Sequence, residues 1–100
     1  MEKAVLYKVE PGQWNTWKEW CTEINTTLRE EAILTLEEEQ VLHELALGFS
    51  LGDDQYVIGF MQGECLPANT AHEINQKHRN MREQCLEKID YAETLYNIQR

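Results

Sequence analysis

Two runs of alternating apolar residues, joined by a tight turn and flanked by two long amphipathic stretches, constrain this chain more than any other feature. Residues 41–49 and 56–61 alternate as strands do, and Gly52-Asp53-Asp54 between them supplies a hairpin turn. Residues 4–9 predict a strand before the first helical stretch, and residues 91–98 a last strand after the second. The order is therefore strand, helix, strand, strand, helix, strand. Both faces of the central pair are apolar. Val41, Leu45, Leu47 and Phe49 share one side of the first run, and Leu42, Ala46 and Gly48 share the other with Glu44. In its neighbour, Tyr56, Ile58 and Phe60 oppose Val57, Gly59 and Met61. Two helices cover only one face of a four-stranded antiparallel sheet, so the other face needs a cover of its own.

The helical stretches carry their own punctuation. Pro11-Gly12 ends the first strand. Trp14, Trp17, Cys21, Ile24 and Leu28 then recur at spacings of three and four, with Trp20 widening the stripe. The pattern weakens through Ala32, Ile33 and Leu36, which predicts a bend or break near Asn25-Thr26-Thr27, residues that compete for backbone hydrogen bonds or lose rotamer freedom. Glu37-Glu38-Glu39 reads as a solvated helix end. In the second helix Pro67 fits the lead-in, Thr70 and Glu73 form a capping box, and Ala71, Ile74, His78, Met81, Cys85 and Ile89 make the apolar stripe.

At 100 residues the chain is a single domain, residues 1–100. A net charge of −9 repels phosphate backbones and argues against nucleic acid as a partner. No apolar run approaches the roughly 20 residues that span a bilayer, and the N-terminus lacks the features of a signal peptide. A cytoplasmic location and no membrane partner are the expectation. Cys21, Cys65 and Cys85 are odd in number and without CxxC spacing, which reads as reduced thiols rather than a disulfide frame or zinc site.

No catalytic motif is present: no phosphate loop, nucleophile elbow or paired metal-binding histidines. His43, His72 and His78 are scattered, so neither a metal nor another cofactor is expected. His78 interrupts an apolar stripe and is either a core-edge histidine bonded to a backbone carbonyl or a pocket base. Lys77, Arg79 and Arg82 around it read as a solvated helix face. Of His43 and Glu44, one must lie on the buried face, where a carboxyl acquires a raised pKa and can serve as acid or base. Tyr7 and Lys8 pose the same question on the first strand. Trp14 and Trp17 read as core, Trp20 as a pocket wall, and Cys21 as an inert small hydrophobe. Tyr7, Trp20, Glu44 and His78 are the ligand-pocket candidates.

Glu10-Pro11-Gly12, Trp17-Lys18-Glu19-Trp20, Thr35-Leu36 with Glu38, Asn75 with His78, and Glu93-Thr94-Leu95-Tyr96 together resemble a family of small uncharacterised bacterial proteins. That family is placed in the dimeric α+β-barrel, ferredoxin-like group, and the resemblance covers nearly the whole chain. It implies an α+β, βαββαβ fold with two helices on one sheet face and a homodimer closed sheet to sheet. A more distant likeness is to the L-rhamnose mutarotases, through strand order, a Pro after the first strand and a Tyr-rich last strand. Those enzymes use a histidine in the first helix where this chain has Cys21, so the likeness implies the fold and not the reaction. Heme-degrading and quinol-oxidising monooxygenases share the fold, but none of their residue patterns occurs here. Two functions are open: a homodimeric barrel that binds or acts on a small molecule without metal, or a non-catalytic dimeric interaction or stress-response module with no ligand pocket.

Overall fold

In the computed structural model, which describes residues 1–100, the chain runs β1 (Glu2–Val9), α1 (Trp14–Asn25), α2 (Arg29–Glu38), β2 (Val41–Leu51), β3 (Asp54–Gly63), α3 (Glu73–Cys85) and β4 (Leu86–Ala92). The strands form one antiparallel sheet in the order β2-β3-β1-β4, the ferredoxin-like arrangement. The hairpin turn is tighter than the three residues of the sequence reading. Leu51 pairs with Asp54, so only Gly52 and Asp53 bridge the strands, and Gly52 takes the positive φ (64°) of a primed turn.

The first helical stretch divides where the threonines compete with the helix. Thr26 Oγ1 donates to the Thr22 carbonyl at 2.6 Å, α1 ends at Asn25, and α2 begins at Arg29. Three helices therefore stand where two were expected. The second stretch is shorter than its stripe implied. α3 starts at Glu73 with His72 as N-cap, and Thr70 makes no capping box; Asn69 Oδ1 instead accepts from the Ala71 N–H at 2.9 Å. The helix ends at Cys85, and Ile89 belongs to the strand that follows.

The last strand is the main correction. It occupies Leu86–Ala92 rather than residues 91–98, and residues 93–100 take no strand pairing. The Glu10 N–H donates to the Cys85 carbonyl at 2.7 Å and Leu86 pairs with Val9, so the chain enters the sheet directly from α3. A bulge opposite Leu6 and Tyr7 breaks the alternation in β4, and Glu87, Lys88 and Asp90 hide it in the sequence.

Gly48 identifies the helix-covered face: a Cβ built there would stand 2.6 Å from the Trp14 ring. Alternation and register then put Glu44 and Ala46 on that face, with Val57, Gly59 and Met61 of β3 and Val5, Tyr7 and Val9 of β1. The core lies here: Val9, Trp17, Trp20, Val57, Cys85 and Leu86, with Trp14, Ile24, Ile74 and Met81 packed around them. The molecule is a slab 36 × 35 × 21 Å, one sheet thick and one helix layer thick. The opposite, open face carries Leu45, Leu47 and Phe49 of β2, Tyr56, Ile58 and Phe60 of β3, and Ala4 and Leu6 of β1.

Candidate functional site

His78 is positioned from two directions. The apolar stripe of α3 turns it toward α1, where the Trp20 indole N–H donates to its Nδ1 at 2.9 Å. The rings of Trp17 and Trp20 lie 6.1 and 5.9 Å from the imidazole, centre to centre. The partner is thus an indole on another helix, not the backbone carbonyl of the sequence reading. With Nδ1 accepting, the neutral ring carries its proton on Nε2. Burial first, and then the Arg82 guanidinium one helical turn along α3, push the His78 pKa down to about 4.

Trp20 is 2% exposed and belongs to the core. It bounds the site with its N–H and ring edge rather than as an open wall. Lys77 Nζ sits 5.2 Å above its ring and 3.5 Å from Glu23 Oε2, so this lysine is engaged between the helices.

Glu44 lies on the helix-covered face of β2, which decides which of the His43-Glu44 pair is turned inward. The residue is exposed along its open strand edge, yet the protein crowding its carboxyl raises its pKa, and Arg82 opposes that shift. Arg82 therefore acts electrostatically on both Glu44 and His78. Tyr7 shares the face one strand further in. Its ring lies over Gly59, where a Cβ would meet Cε2 at 3.5 Å, and it packs on the core cluster. His78 and Trp20 are thus joined directly, Glu44 is linked to them through Arg82, and Tyr7 floors the same side of the sheet.

Two further residues matter that the sequence reading placed in solvent. Arg82 was assigned to a solvated helix face and is exposed there, yet its charge acts on both Glu44 and His78. Glu39 was assigned to a solvated helix end, but it is 9% exposed, and its carboxyl is pushed up by burial first and then by Glu44 and Glu38. The one sequence signal for Arg82 is its spacing of four from His78. Glu39 gives none, because its burial follows from β3 and the segment after it docking on the helix end: the Leu66 N–H donates to the Glu39 carbonyl at 2.8 Å.

The other histidines stand apart. His43 is on the open face, edge-on to Phe60 at 5.9 Å. His72 Nε2 lies 2.6 Å from Glu38 Oε2 without the alignment of a hydrogen bond, tying α2 to the start of α3. No three His, Cys, Asp or Glu side chains gather in a way that could hold a metal ion. Lys8, also on the open face, pairs with Asp54 at 3.6 Å. Burial raises the Cys21 and Cys85 thiols, disfavouring the thiolate a nucleophile needs.

Two open clefts, of about 370 and 450 Å³, lie elsewhere. The first runs between residues 93–99 and Glu2, Phe60 and Gln62; the second lies beside Leu36, Val41 and Glu64. Neither is lined by Tyr7, Trp20, Glu44 or His78.

Residues 3–100 match a family of unknown function, DUF6176. The chain belongs to this family. No curated protein matches it. The DUF6176 match covers every strand and helix except Glu2 at the start of β1, and all of Tyr7, Trp20, Glu39, Glu44, His78 and Arg82 fall inside it. No helix is long and apolar enough to cross a membrane.

Proposed function

We propose that the protein is a homodimeric α+β barrel that binds, or acts on, a small organic molecule between its sheet and helices, without a metal. One observation carries this reading: a half-buried, neutral His78, clamped through Nδ1 by Trp20, shares the field of Arg82 with Glu44, whose carboxyl is held above its usual range. The Nδ1 lone pair is taken by Trp20, so His78 serves as a neutral hydrogen-bond donor, and the Glu44 carboxyl, prone to protonation, is the group that can give or take a proton. The fixed tautomer turns Nε2–H into a donor for a ligand, and Arg82 adds a cation for its anionic group. The acidic composition, the cytoplasmic location expected from the sequence and the bacterial setting that the family resemblance implies fit such a protein.

The second reading is a dimeric interaction or stress-response module without a ligand. It is favoured by the two open clefts lying away from His78. A thermal-shift screen of small metabolites separates the two. A ligand that binds only the folded state raises its melting temperature by mass action. Compounds are expected that raise the melting temperature of the wild type but not of Glu44→Gln or His78→Gln. A screen in which no compound moves the wild type overturns the ligand reading in favour of the interaction module.

A further inference from the structure

The chain leaves two apolar surfaces uncovered on the same side. The first is the open sheet face, where Leu45, Leu47, Phe49 and Leu51 are 38%, 51%, 42% and 67% exposed. The second is the C-terminal segment 93–100. It crosses that face at the β1 end, tethered where Asn97 Nδ2 donates to Glu2 Oε1 at 2.9 Å. Its Leu95, Tyr96 and Ile98 are 84%, 82% and 83% exposed, and the cleft of about 370 Å³ separates the segment from its own Phe60 and Gln62. The residues whose pattern predicted a strand are thus present, but nothing in their own chain receives them.

Area identifies what does. The chain exposes 7427 Å², roughly 1,500 Å² more than the about 5,900 Å² expected of a folded monomer of its mass. Only 10 of its 100 residues are buried. Stable homodimers remove about 800 Å² per chain at standard size and more when obligate, so this excess matches the loss of one large interface. An anionic membrane is the wrong occupant. The charged groups on this face are Glu2, Lys8, Asp54, Glu87 and Asp90, and its lysine is paired with Asp54. A second copy satisfies both surfaces reciprocally under two-fold symmetry.

We infer that residues 93–100 are a dimerisation arm: two copies meet through their open sheet faces, and Leu95, Tyr96 and Ile98 of each arm pack on the β2–β3 face of the other. This rests on the dimeric reading above and adds to it the segment that completes the interface. The arm lies outside the helix-covered side, so the sheet separates it from His78.

Sedimentation equilibrium at micromolar concentration tests the assembly, and three chains are compared: the full chain, a truncation after Ala92, and the double variant L95S/I98S. The full chain is expected at twice its 11.8 kDa mass. Both variants are expected to dissociate at concentrations at least tenfold higher than the full chain does. The double variant alters two side chains that are already exposed in their own chain, so its fold is retained even where truncation perturbs β4. Isotope-filtered NMR on dimers mixed from labelled and unlabelled chains is expected to show contacts between the Leu95 and Ile98 methyls and Leu47 or Phe49 of the other chain. A full-chain dimer whose variants are equally tight, or whose arm contacts are all within one chain, overturns the arm and leaves the dimer standing. A monomeric full chain overturns both.

Discussion

The indole N–H of Trp20 on α1 donates to Nδ1 of His78 on α3 across 2.9 Å, and that bond ties together the helix layer and the candidate site. Trp20→Phe keeps an aromatic ring but strands Nδ1 without its donor. The cost is expected to be about 1–3 kcal/mol in urea unfolding, the usual penalty for an unsatisfied buried group. Without a donor fixed on Nδ1, protonation of the ring becomes easier, so the His78 pKa should rise. Imidazole ¹⁵N chemical shifts followed over a pH titration report both the tautomer and the midpoint.

The same histidine predicts an acid-sensitive stability. Its folded pKa of about 4 lies below its ordinary value of 6.5, so the unfolded chain binds the proton more readily. The His78 contribution is fully present above about pH 6.5 and is lost as pH falls toward 4, by roughly 3 kcal/mol across the window. Glu39 and Glu44 act in the opposite direction. Their raised carboxyl pKa values contribute stability that is lost as pH rises through the folded values. The difference between wild type and His78→Gln in urea unfolding at pH 7.5 and 4.5 isolates the histidine. A gap that stays constant between the two pH values would contradict the assignment.

Gly63 holds the end of β3 against the end of α2. Its φ of 137° is disfavoured for a side chain, and a Cβ there would collide with the Gln40 carbonyl oxygen. Gly63→Ala is expected to destabilise the fold by about 2–3 kcal/mol, as enforced strain and steric conflict do. Gly12→Ala, where φ is also positive (77°) but no atom lies within 4 Å, should cost only about 1 kcal/mol. Equal effects at the two positions would show that the β3–α2 contact is not a constraint.

The thiols should react in an order set by burial. Cys65 and Cys21 are both half-buried, the Cys21 thiol pushed up by burial, and Cys85 is 0% exposed. Native iodoacetamide labelling read by mass spectrometry is expected to modify Cys65 first, and Cys85 only as the chain unfolds.

Nucleic acid binding is expected to be absent at physiological salt. The net charge is −9, and the basic side chains near the site are spread along one helix rather than gathered into a patch. An anisotropy titration showing salt-sensitive micromolar affinity for DNA or RNA would contradict this.

The local periodicities were enough to determine the strand–helix–strand–strand–helix–strand order, the hairpin at Gly52, and the interruption near Thr26, because alternation and the 3.6-residue repeat are short-range properties. They also marked Trp20, Glu44 and His78 as residues that break their surroundings. Tertiary structure decided the rest. β4 lies at Leu86–Ala92 because an edge strand with a bulge and three charged residues loses its alternation, while its pairing with β1 depends on residues some eighty positions away. The partner of His78 sits 58 residues distant, Glu39 is buried only once the segment after β3 docks on it, and Arg82 matters only through what faces it. Which face the helices cover followed from Trp14 meeting Gly48, a contact no periodicity within either element contains.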